Sequence, residues 1–198
     1  MQTDAMAIHE HHHDADSTDV FGFWLYIMTD VVLFGSLFAV FLVLNDPYSV
    51  GPSLKQYIDL KYVLIETFFL LASNFTFCLA ALNLYKNKLH KVQFWLFVTF
   101  IFGASFVAME LNEFVRLYFE GFRWDMSGHA SSFFTLVGTH GLHVTVGLCW
   151  IALTIFQFTL FKISTVMKRR MTYLGLFWNF LDMVWIFVFT IVYLMGAM

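Results

Sequence analysis

Charge is scarce in this sequence. Asp, Glu, Lys and Arg make up 13% of its 198 residues, about half of the roughly 25% usual in a soluble domain. A soluble fold of this size would not cover its surface with so few charges. Positive charge is scarcer still, with 11 Lys and Arg against 14 Asp and Glu, a formal net charge of −3 and no basic stripe. That excludes a nucleic-acid binder. Only two cysteines are present, Cys78 and Cys149, each inside an apolar run. A disulfide scaffold is excluded by count, and nothing favours thiol redox chemistry or zinc. The two prolines, Pro47 and Pro52, both fall in a polar connection. No apolar span is therefore broken by proline, as the midplane site of a transporter commonly is. Residues 1–20 contain no Lys or Arg, so they are not a secretory signal, which would begin with a positive region.

Hydrophobic residues make up 60% of the chain and aromatics 20%, with Phe alone contributing 26. They gather into five long apolar segments, expected as helices at about 21–44, 62–85, 92–115, 130–161 and 171–196. Each is long enough to cross a hydrocarbon core of about 30 Å at about 1.5 Å per residue. Barrel strands would be about 10 residues long with strict alternation, and are excluded. The expected fold is all-α: a polytopic membrane protein with a single five-transmembrane-helix bundle over 21–198. It is preceded by an acidic, His-rich tail over 1–20 that lacks the apolar content to fold alone and is expected to be disordered.

Lys and Arg set the orientation. The loops around Lys86–Lys91 and Lys162–Arg170 carry seven of them on one side, against four (Lys55, Lys61, Arg116, Arg123) on the other. The N-terminus is therefore expected in the cytoplasm and the C-terminus outside.

Few ionisable residues lie inside the spans. Each costs at least about 2.5 kcal/mol at the bilayer centre, so it should face protein or water. Helical phase places Asp30 with Phe34 and Phe41, Glu66 with Ser73 and Phe77, and Glu110 with Thr99 and Gly103. It places His140 and His143 with Gly147 and Thr154, and Asp182 with Trp178 and Trp185. By depth, Glu66, Glu110 and His140 can meet near the external side, and His143 can approach Asp182 or Asp30. No Lys or Arg is read inside a neighbouring span at the depth of Glu66. Three readings remain open for these groups. They can be helix-to-helix polar contacts, helped by small residues; a proton or ion path; or a metal or haem site built on the His140/His143 pair or on Glu110 and Glu113. The haem reading suffers because both intramembrane His lie on one helix. The run His9–Asp14 reads as a solvated tail before it reads as a metal ligand set. Trp24 and Trp124 fit an interfacial belt, whereas Trp178 and Trp185 lie too deep and are expected to pack inside.

Five pieces of the chain together resemble subunit III of the haem–copper respiratory oxidases. They are FGFWLYIMTD (21–30), IETFFLL (65–71), MELNEF (109–114), GTHGLHVTVG (138–147) and FWNFLDMVWIFVFTIVYL (177–194), in the family's order. Within that family the chain is similar to the five-helix form of the cytochrome o type of quinol oxidase. One departure is Asn179, where many members carry His. The resemblance implies a non-catalytic subunit of a bacterial inner-membrane oxidase, with no cofactor of its own, the haems and copper residing in subunit I. It also implies bound phospholipid and a role in the assembly and stability of subunit I. It implies no catalytic, cofactor or metal residues here: Asp30, Glu66, Glu110, His140, His143 and Asp182 would be structural polar groups, and Trp178, Trp185 and Gly147 packing positions. Accessory subunits of other haem–copper oxidases or of nitric oxide reductases, and a stand-alone transporter, are the alternatives.

Overall fold

The structure, a computed structural model, describes residues 2–44, 59–160 and 164–194, with side chains from Val20 onward. The proline-containing connection, Lys162, the end of the fifth expected helix and the side chains of His9–Asp14 lie outside the described residues. Five α-helices follow in order: α1 Gln2–Leu44, α2 Leu60–Tyr85, α3 Leu89–Phe119, α4 Gly128–Leu160 and α5 Thr165–Val188. A π-helical segment, Phe189–Leu194, continues α5. All five are long and apolar enough to cross a membrane, and no strand occurs among the described residues. Hydrocarbon offers no partner for backbone N–H and C=O groups, so these apolar stretches close their own hydrogen bonds as helices.

The helices outrun the apolar runs. α3 begins at Leu89 and continues to Phe119, and α5 begins at Thr165 rather than near 171. The Ser164 side chain accepts from Met167 N at 3.3 Å and caps α5 ahead of Lys168, Arg169 and Arg170. Hydrophobicity marks where lipid ends, whereas a cap marks where the helix begins. α1 also differs from expectation, because it is helical back to Gln2 where a disordered tail was expected. Residues 2–19 contain neither Gly nor Pro, and extending an existing helix needs no new nucleus.

Two connections end in the same device. Lys88 N bonds to the Asn83 carbonyl and Asn87 N to the Leu84 carbonyl, with Asn87 at φ 53°. Phe122 N bonds to the Leu117 carbonyl and Gly121 N to the Tyr118 carbonyl, with Gly121 at φ 94°. Both are Schellman closures, which need a left-handed residue just past the helix and reverse the chain within a few residues. α2 and α3 therefore lie as antiparallel neighbours.

Residues 1–36 and 37–198 form two compact units. The first is the bulk of α1, including Asp30. In the second, α2 packs on α3, α3 on α4, α4 on α5, and α5 back on α2, closing a four-helix ring. At the end of α1, Phe41 lies against the His129 ring at 5.0 Å. Glycines let α4 approach its neighbours. An ideal Cβ on Gly147 would stand 2.8 Å from Trp178 Cζ3, and one on Gly103 would stand 2.8 Å from Leu148 Cδ2 and 3.1 Å from Trp178 Cζ2. Trp178 thus fills a slot floored by two glycines, as small residues permit in helix packing within membranes.

Candidate functional site

Inside the ring the polar groups sit in two tiers. Near the middle, Ser73 Oγ donates to the Thr99 carbonyl at 3.1 Å, and the Thr76 and Thr99 hydroxyls are 2.9 Å apart. These bonds tie α2 to α3. On α5, Asp182 is buried and meets the Asn74 side chain. The sequence reading allows His143 to approach Asp182 or Asp30; at Asp182 the side chain met is Asn74. On α4, however, the buried stripe steps through His140, Val144, Gly147 and Ile151, and His143 falls beside it. Its Nδ1 is 2.8 Å from the Thr139 carbonyl oxygen on its own helix.

The second tier lies where α2 and α4 begin and α3 and α5 end. Glu66, Glu110, Glu113, His140, Trp185 and Tyr193 are all at most 3% exposed there. Glu66 and Glu113 are close enough to couple electrostatically, and Glu110 couples to both. The Tyr193 hydroxyl donates to Glu113 Oε2 at 2.9 Å. His140 stacks on Trp185 with ring centroids 5.1 Å and planes 30° apart, and Phe106 meets both rings edge-on. Trp185 Nε1 donates to Thr67 Oγ1 at 3.0 Å, tying α5 to α2. The Glu110 carboxyl reaches across to α4, where an ideal Cβ on Gly141 would stand 2.7 Å from both its oxygens. Gly141 is thus the notch that admits Glu110.

Glu66, Glu110 and His140, expected to share one depth, do lie in the same tier. α3 runs on past its apolar stretch and carries a cation toward Glu66. Arg116 lies within α3, is a charged neighbour of both Glu66 and Glu113, and holds its guanidinium 5.9 Å over the Tyr62 ring. The apolar run ended before Arg116, so it read as loop. The indoles of Trp178 and Trp185 are 1% exposed and that of Trp124 is 68% exposed. Beyond the span, Arg123 donates to the Tyr118 hydroxyl at 2.7 Å, and this bond pushes its pKa up. Asn179 is spent on its own helix, donating to the Gly175 carbonyl at 2.9 Å. Among the described residues no group of three or more His, Cys, Asp or Glu is arranged to hold a metal ion.

Sequence reasoning passed over Tyr193, and it weighed Glu113 only as half of a metal site. No pattern marks either role: Tyr193 lies on the π-helical segment, which brings its hydroxyl to Glu113. Such segments are widened turns that recur where a helix must aim a side chain.

The fold and this buried belt define a polytopic helical membrane protein whose interior is packed by glycine–tryptophan contacts and neutral or acidic polar groups. A family model described as cytochrome c oxidase subunit III matches residues 2–197. The chain belongs to that family. It is 51% identical over 186 residues to the cytochrome bo(3) ubiquinol oxidase subunit 3 of Pseudomonas putida, covering 94% of this chain and 90% of that one. It is 50% identical over 190 residues to the protein of the same name from Pseudomonas aeruginosa, covering 96% and 91%. The quinol oxidase subunit 3 of Bacillus subtilis is 38% identical over 187 residues, covering 94% and 92%.

Proposed function

We propose that this chain is the non-catalytic subunit III of a quinol-oxidising haem–copper terminal oxidase in the bacterial inner membrane. In this reading it supports the assembly and stability of subunit I, holds phospholipid and carries no haem or copper of its own. Its N-terminus is cytoplasmic and its C-terminus periplasmic. The observation that carries the reading is the match of half the residues, over nearly the full length of both chains, to relatives named as subunit 3 of ubiquinol oxidases. The interior supports it. Two buried bonds run from one helix to another, Tyr193 to Glu113 and Trp185 to Thr67. Such bonds across helices fix a bundle's packing within lipid.

The test is removal of the subunit. Oxidase assembled without it, with all its haems present, should start at substantial quinol oxidase activity and then lose it through low yield or inactivation during turnover. Absence of initial activity in a fully haem-loaded preparation would refute the supporting role.

A further inference from the structure

Between α3 and α4 a groove of about 350 Å³ opens on the outer surface of the helices. Its walls are apolar, from Leu111, Phe114, Leu142 and Val146, and its floor is Gly138 and Gly141. Glu110 and Thr145 also line it, the Thr145 hydroxyl donating to the Gly141 carbonyl of its own helix at 2.8 Å. The carboxyl of Glu110 lies directly over Gly141, the residue is 3% exposed, and no described group donates to its Oε1. A buried acceptor without a donor is unfavourable, so the groove has one unmet hydrogen-bonding demand at its base. Phe114 also walls a second apolar groove, of about 510 Å³, that runs past Tyr118 and Phe119 to Trp124 at the end of the span.

We infer that this α3–α4 groove binds an isoprenoid quinol, one ring hydroxyl donating to Glu110 and the chain leaving through the open side of the groove into the lipid. The lining selects among membrane amphiphiles. Among the described residues no Lys or Arg lines the inner groove, so a phosphate head would meet a carboxyl with no countercharge there. A neutral ring hydroxyl supplies the donor that Glu110 lacks, and a carboxyl oxygen accepts it in either protonation form. Apolar walls with a few placed polar groups are the usual make-up of a small-molecule site. This inference rests on the proposal that the complex works on quinol. It assigns a holding site and no oxidation step.

The test uses the assembled oxidase in lipid nanodiscs, labelled with a photoreactive azido-ubiquinol and mapped by peptide mass spectrometry. Saturable adducts are expected on residues 107–146, displaced by unlabelled ubiquinol. Glu110→Leu should raise the half-saturating concentration about three- to tenfold, the loss of one hydrogen bond. Glu110→Gln, which keeps an acceptor oxygen, should stay within about twofold of the parent. Leu142→Trp, at an exposed position on the groove wall, should block labelling while leaving the buried tier untouched. Adducts that do not saturate, that ignore all three substitutions, or that glycerolipid displaces as well as ubiquinol does would overturn the inference. So would a cysteine at Leu142 that cross-links to a neighbouring subunit across the groove. Quinol oxidation by the unmodified complex is measured in the same preparation. If it is absent, the proposed function has failed; if it is present without groove labelling, only the quinol site has.

Discussion

The indole of Trp178 occupies the space that any side chain at Gly147 would need, with Cζ3 2.8 Å from an ideal Cβ there. The other edge of the ring is seated against Gly103, where an ideal Cβ would stand 3.1 Å from Cζ2. Gly147→Ala should therefore overpack the α4–α5 contact, at a cost of about 1–3 kcal/mol. Thermal melting of the assembled complex checks this, with Gly138→Ala as control. A Cβ at Gly138 would meet only Phe114 at 3.7 Å, an ordinary contact, so the control should melt within a degree or two of the parent.

Trp185 joins α5 to α2 through its N–H on Thr67 and to α4 through its stack on His140. Trp185→Phe keeps an aromatic ring and removes the donor, which should cost about 0.5–1.5 kcal/mol. Thr67→Val removes the acceptor. In a double-mutant cycle read by denaturant unfolding in detergent, the two should be coupled by about the same amount. Additive effects would mean that the bond contributes nothing.

Glu113 and Tyr193 form a buried pair across α3 and the end of α5. Tyr193→Phe strands a carboxyl oxygen, and Glu113→Leu strands a hydroxyl, so each alone should lower the yield of assembled complex. The two together should recover part of that loss, because removing both partners leaves no unmet polar group. Quantitative immunoblots of membranes against co-purified subunit I give the readout.

Topology is tested by single cysteines at Asn87, between α2 and α3, and at Trp124, between α3 and α4, with Cys78 and Cys149 replaced by Ser. An impermeant maleimide added to intact spheroplasts should label position 124 and leave 87 unlabelled until the membrane is opened. The reverse pattern would invert the Lys and Arg assignment.

Isolated from its complex, the chain should bind no haem. His140 and His143 stand three residues apart on one helix, and His140 is packed between Trp185 and Phe106. A stoichiometric Soret band on the purified subunit would contradict this.

The sequence by itself determined the number of spans, their approximate bounds and the residues that face inward. Those follow from transfer energetics: apolar runs enter lipid, backbone groups must then close as helices, and costly side chains must turn away from hydrocarbon. Position along each span was enough to put Glu66, Glu110 and His140 at one depth, and helical phase and depth to put Trp178 and Trp185 inside. Helix ends were less legible, because Ser164, Arg116 and the turns at Asn87 and Gly121 obey capping and backbone geometry, which hydropathy does not register. The tertiary structure alone decided the partners. Asp182 meets Asn74 instead of His143, Tyr193 reaches Glu113, and Glu110 enters the notch at Gly141. Each pairing joins different helices, so it depends on how those helices are rotated and set in depth against one another. In lipid that is fixed by close contacts such as Trp178 on Gly103 and Gly147, and no periodicity within a single helix encodes it.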